Sequence, residues 1–185
     1  MALRIRPACL PDVPALEPLI AASARALGQG YYSATETEAA IEHVFGVDTE
    51  LVDDGSYLVA TRDGEIAGCG GWSRRTTLFG GDRYAGRASG LLDPALHPAK
   101  IRAFFVAPGA ARQGVGAALL LACESAAAKA GFLATELMAT LPGQPFYAAH
   151  GYRPDAAVVL DLGGIPVRFV PMRKQFSVTF LQQVG

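Results

Sequence analysis

The chain has 185 residues, 51% of them hydrophobic, with a formal net charge of −1 and a pI near 6.3. That length suits one globular domain, residues 1–185, with a sizeable core, and the near-neutral charge offers no general attraction to nucleic acid. No apolar run approaches the ~20 residues of a membrane span, and Pro7, Pro11, Pro14 and Pro18 break up any secretory leader, so the expectation is a cytoplasmic protein with no membrane partner.

Leu3-Arg4-Ile5-Arg6 alternates apolar with charged residues as a half-buried strand does, and Pro7 ends it. Val13, Leu16, Leu19, Ile20, Ala24 and Leu27 then recur at helical spacing up to Gly28. In the loop from Gly28 to Ser33, Tyr31 and Tyr32 either line a substrate pocket or pack at the surface edge. Thr35 with Glu38 reads as a capping box for a helix through about Phe45. From Glu36 to Asp54 there are seven acidic residues and no Lys or Arg, which is either a solvated face or an attraction for a cationic amine.

Ser56–Arg62 and Glu65–Trp72 flank the hairpin turn Asp63-Gly64 and predict an antiparallel pair. Gly68, Gly70 and Gly71 in the second strand point to a bulge or to the close approach of another group. Residues 73–99 lose all periodicity and read as an irregular insertion, long enough to be functional. Its Arg74, Arg75, Arg83 and Arg87 face only Asp82 and Asp93 in the same segment, so they are surface charges or contacts to phosphate or another acidic group.

The β-prone run Ile101–Val106 stops at Pro108-Gly109, and after a short basic loop Gly114-Val115-Gly116 opens a helix. Val115, Leu119, Leu120, Cys123, Ala126, Ala127 and Ala130 form its expected buried stripe, with Glu124 and Lys129 outside and Gly131 at its end. A glycine-bearing loop at a helix N-terminus, where N–H groups lack partners and the dipole is positive, is suited to hold phosphate oxygens. A dinucleotide fingerprint would need a third glycine at Leu119 and a P-loop would need Gly-Lys before Ser or Thr; neither is present.

Ala134–Thr140 predicts a strand parallel to the one before the helix, because a helical crossover joins them. Tyr152–Leu162 and Ile165–Met172, joined at Gly163-Gly164, read as a terminal hairpin. In the tail, 174–185, Phe176–Leu181 is also β-prone and is expected to pack on the domain or on a second copy in a homodimer. Cys9, Cys69 and Cys123 are widely spaced and read as small buried or half-buried residues; no metal is expected.

The segment Arg112, Gln113, Gly114, Val115, Gly116, Ala117 resembles the pyrophosphate-binding motif of the GCN5-related N-acetyltransferases, in which Gln or Arg is followed by two residues, Gly, one residue, and Gly or Ala. The leading Gln or Arg falls on Ala111, a departure that touches a side-chain contact more than the backbone cradle. Pro145-Phe146-Tyr147-Ala148-Ala149-His150-Gly151-Tyr152 resembles the next segment of that family, a short helix carrying a tyrosine. The resemblance implies a single mixed, mostly antiparallel α/β sheet of about seven strands flanked by helices, its parallel central pair splayed to admit acetyl-CoA as cosubstrate. It further implies that the cradle residues hold the pyrophosphate and that Phe105 and Val106 pair with the pantetheine arm.

The implied reaction is acetyl transfer to a primary amine of a small molecule or peptide. Tyr147 is then the proton donor to the departing thiolate, since a phenol of pKa ~10 is protonated at neutral pH and near enough to a thiol of ~8.5. Many relatives carry a glutamate in the central strand; here the neighbourhood is Lys100, Ile101 and Arg102, which leaves Glu50, Asp53, Asp54, His150 or water as the base. The alternative is a non-catalytic acyl-CoA binding or sensing module on the same fold.

Overall fold

The computed structural model describes residues 2–184. The alternating N-terminal run forms β1 (Leu3–Pro7), antiparallel to β2 (Tyr57–Arg62), with Ile5 opposite Ala60. α1 (Val13–Gly28) buries Leu16, Ile20 and Ser23. Its approach is fixed by Asp12, whose carboxylate accepts from Arg6 at 2.7 and 2.8 Å and from the Cys9 N–H at 2.9 Å. Cys9 itself is exposed, unlike the buried Cys69 and Cys123, because it lies in the connection rather than in the core.

The Arg6 guanidinium holds the Asp12 carboxyl well below the usual carboxylate range. A depressed folded-state value stabilises above the unfolded pKa of ~3.9, and that contribution is lost as pH falls through the folded value. Asp12→Asn is therefore expected to cost about 1–2 kcal/mol at neutral pH, with the gap to the parent protein narrowing below about pH 4 in urea titrations.

α2 (Ala34–His43) starts one residue before the expected box. Ser33 Oγ accepts from the Glu36 N–H at 3.1 Å and the Glu36 carboxylate accepts from the Ser33 N–H at 2.8 Å, while Glu38 is paired with Arg25. Within the acidic stretch lies a further short helix, α3 (Thr49–Asp53), capped by Asp48. The hairpin partner of β2 is β3 (Glu65–Ser73), followed across the irregular 73–99 segment by β4 (Ala99–Val106).

β3 and β4 pair with a shift: Cys69 faces Phe105 and Gly71 faces Arg102, so Ala103 and Phe104 together oppose Gly70. A Cβ on Gly70 would sit 2.3 Å from the Phe104 ring, which is why this strand position is glycine. Ala103 has φ 49, in the left-handed region, at a cost of roughly 1–2 kcal/mol, and the Tyr57 hydroxyl donates to its carbonyl at 2.9 Å.

α4 (Val115–Lys129) crosses over to β5 (Ala134–Thr140), which pairs in parallel with β4. α5 (Gln144–Ala149) follows. The expected last hairpin begins in two pieces, β6 (Arg153–Pro154) and β7 (Val158–Leu162), both pairing with β8 (Ile165–Gln175). The result is an eight-stranded open sheet in the order β1-β2-β3-β4-β5-β8-β6, with β7 beside β8, α1 to α3 packing on one face and α4 on the other.

Two further expectations are corrected. Glu124 does not face solvent: it is 3% exposed, accepting from the Tyr152 hydroxyl at 2.9 Å and from Lys174 at 2.7 Å. The tail is helical rather than extended, as α6 (Val178–Val184). Ser177 Oγ accepts from the Phe180 N–H at 3.1 Å, and buried Phe176 donates its N–H to Leu133 at 2.9 Å, so the helix docks beside α4.

Candidate active site

β4 and β5 pair only at Ala99–Thr135 and Lys100–Glu136. Beyond those two pairs the strands diverge, and a cleft of about 800 Å³ opens between them. The Lys100 ammonium, 6% exposed, is paired with Glu136 at the closed end. Ile101 to Val106 along β4, and Leu137, Met138 and Thr140 along β5, line the walls. On the gap side, β4 past Lys100 carries backbone groups without a strand partner, while its other edge is paired to β3.

At one end of the cleft lies the glycine turn. Arg112 and Gly114 have φ of 63 and 82, and Gly114 is the N-cap of α4 with no side chain capping the first turn. A Cβ on Gly114 would meet nothing within 4 Å, so the space before the helix end is open. Open space, uncapped N–H groups of a 15-residue helix and the Arg112 guanidinium fit an anionic pyrophosphate.

Of the sequence-derived contacts, Phe105, Val106, Arg112, Gly114, Gly116 and Ala117 line the cleft. Two side chains do not. Val115 is 1% exposed and packs into the core with Leu119. Gln113 turns toward β2, where Arg62 donates to its side-chain and backbone oxygens, and its own amide donates to the Gly109 carbonyl at 2.8 Å. Only the backbone of these two residues belongs to the turn at the cleft.

Tyr147, on α5, lines the cleft. Its ring packs against Phe104, Phe146 and Tyr152 at centroid distances of 6.1, 5.1 and 5.6 Å. The hydroxyls of Tyr32, Tyr57 and Tyr152 are all hydrogen-bonded; that of Tyr147 has no partner among the described residues. Burial, with Cys123 nearby, raises its pKa well above the ordinary phenol value, so it stays protonated.

The remaining base candidates are not brought to the cleft. Glu50 is paired with Arg87 at 2.8 Å and Asp54 with Arg75 at 2.8 Å; Asp53 is exposed at the end of α3. His150 stacks on Phe146 with its Nδ1 2.8 Å from the Phe146 carbonyl oxygen. Part of the acidic stretch, Asp48, Glu50 and Asp54, is instead neutralised by Arg75 and Arg87 of the insertion, while Arg83 pairs with Glu17. Asp48, with no exposed side-chain surface, pairs with Arg102 and with Arg87, and Arg75 also approaches Glu50 at 3.6 Å. Burial pulls the Arg102 guanidinium down from its ordinary value, against the opposing effect of Asp48. Both tyrosines of the first loop line the cleft, and the Tyr32 hydroxyl bridges the Arg168 carbonyl and the Leu141 N–H.

Residues 53–154, more than half of the chain, match the family model of an acetyltransferase (GNAT) domain. The chain belongs to the GNAT acetyltransferase family. Among solved structures it is similar to a GCN5-related N-acetyltransferase from Rhodopseudomonas palustris, at 19% identity and a TM-score of 0.71, covering 95% of this chain and 97% of that one. It is also similar to the PaiA N-acetyltransferase of Thermoplasma acidophilum in complex with coenzyme A, at 18% identity and a TM-score of 0.64, over 95% of this chain and 100% of that one. A ribosomal-protein-alanine N-acetyltransferase from Brucella melitensis aligns at 17% identity and a TM-score of 0.60, over 94% of this chain and 99% of that one. At these identities the likeness is one of fold. No curated protein matches the chain.

Proposed function

We propose that this protein moves an acetyl group from acetyl-CoA to a primary amine by direct transfer in the β4/β5 cleft. The observation that carries the reading is one cleft lined both by the turn at an uncapped helix N-terminus and by a tyrosine whose hydroxyl has no partner among the described residues. The coenzyme, when bound, supplies the activated acetyl group. The turn from Arg112 to Ala117 holds the pyrophosphate through its N–H groups, and the free edge of β4 at Phe105 and Val106 pairs with the pantetheine amides. Tyr147 gives its proton to the sulfur as the C–S bond breaks and the C–N bond forms, and water restores that proton. Burial raises the phenol, and the same dry surroundings make the leaving thiolate more basic, so the two remain matched.

One observation favours a non-catalytic acyl-CoA module: no carboxylate or imidazole lines the cleft among the described residues. Thiol release from acetyl-CoA in the presence of an amine panel separates the two readings. For the coenzyme site, Gly114→Val is expected to weaken acetyl-CoA binding at least about 10-fold in calorimetry, because a β-branched residue at that φ is strained and fills the anion space. Unchanged affinity would remove the turn from the site.

A further inference from the structure

Much of the cleft wall is apolar and aromatic, formed by Leu27, Tyr31, Phe45, Phe79, Met138 and Phe169. Along the whole cleft the titratable side chains are Arg102, Arg112, Tyr31, Tyr32 and Tyr147, with no Asp, Glu, His or Lys among the described residues. The carboxylates nearest in the chain, Asp48 and Glu50, are turned into pairs with Arg87 and Arg102 and offer a cationic ligand nothing. Such a site has no carboxylate to pair with a protonated amine and no carboxylate, imidazole or lysine to remove its proton.

Resting on the acetyl-transfer reading, we infer that the acceptor is an apolar or aromatic amine of low basicity, of the α-amine kind, that enters already neutral. An α-amine of pKa ~7.7–8.0 is neutral to about one part in ten at pH 7, against about one part in 10³ or less for a lysine-type amine of ~10.4. Its proton leaves to solvent before entry. After the amine nitrogen bonds the acetyl carbon, its second proton leaves to water, so no enzyme base is required. The aromatic wall selects the body of the acceptor, at about the burial of one large side chain, on the order of 10-fold to 10²-fold in affinity.

The test uses three acceptor probes with saturating acetyl-CoA, read by thiol release, and calorimetry of each on the protein saturated with CoA. Phenylalanine amide is expected to bind and to exceed both glycine amide, which lacks the aromatic body, and Nα-benzoyl-lysine amide, which keeps the ring but carries the basic amine. The expected advantage in kcat/KM at pH 7 is at least about 10-fold over each. The pH midpoint of kcat/KM should move with the acceptor, from near 8 for the amide to about 10 for the lysine probe. A midpoint that stays fixed between acceptors, a preference for the lysine probe, or no turnover of phenylalanine amide while acetyl-CoA still binds overturns the inference and leaves the coenzyme site standing. Failure to bind acetyl-CoA at all overturns the reading beneath it.

Discussion

Tyr147→Phe is expected to release thiol about 10²-fold more slowly than the parent protein while binding acetyl-CoA and unfolding at the same temperature. The substitution keeps the ring that packs between Phe104, Phe146 and Tyr152, and it deletes an oxygen with no partner among the described residues, so little stability is at stake. The lost step is protonation of sulfur, so kcat and kcat/KM should fall together with the acetyl-CoA KM unchanged. Tyr152→Phe is the control for a structural tyrosine. It abandons Glu124 and Thr135 in the core and should lower stability with less effect on kcat. A Tyr147→Phe protein as fast as its parent, with chemistry rate-limiting, would leave solvent as the proton source.

The largest expected effect on stability comes from the ion pair under the cleft. Asp48 and Arg102 each have no exposed side-chain surface, and Arg102 also donates to the Gly80 carbonyl at 3.3 Å. Removing Arg102 leaves the buried Asp48 carboxylate with Arg87 as its remaining cationic partner, so Arg102→Met is expected to cost about 3 kcal/mol and lower Tm by on the order of 10 °C. The double variant Arg102→Met with Asp48→Asn should recover much of that loss, since it removes both charges. Through Gly80 and the neighbouring Phe79, the same pair sets the wall opposite Phe169, so the single variant should raise the acceptor KM more than the acetyl-CoA KM. Thermal unfolding of the three proteins decides it; a single variant within 1 kcal/mol of the parent means the pair is not a support.

The parts of this site legible in the sequence are the local ones. The glycine turn, the strand before it, the bounds of β5 and the tyrosine of α5 are written in stretches of a few residues, where periodicity and turn chemistry act directly. The charge network was not legible in that way. Arg87 meets Asp48 across 39 residues of chain and Arg75 meets Asp54 across 21, so two blocks of opposite charge look like two separate surfaces until the fold brings them together. Glu124 looked solvated because its partners, Tyr152 and Lys174, come from elements beyond β5. In the tail, β propensity lost to a serine cap and to the docking of Phe176, a case of tertiary context overriding a weak local preference.

The two-pair seam between β4 and β5 has a consequence for the protein as a folded object. Past that seam the molecule is a sheet with one strand left out, carrying two inward edges, with Arg102, Pro142 and Pro145 among the residues that line the gap. On the acetyl-transfer reading proposed above, the extended pantetheine arm with its amide groups would take the place of that strand, a form of β-augmentation from within. Occupancy would then complete the sheet, and by mass action the stability of the folded state would rise with the logarithm of the ligand concentration above its Kd.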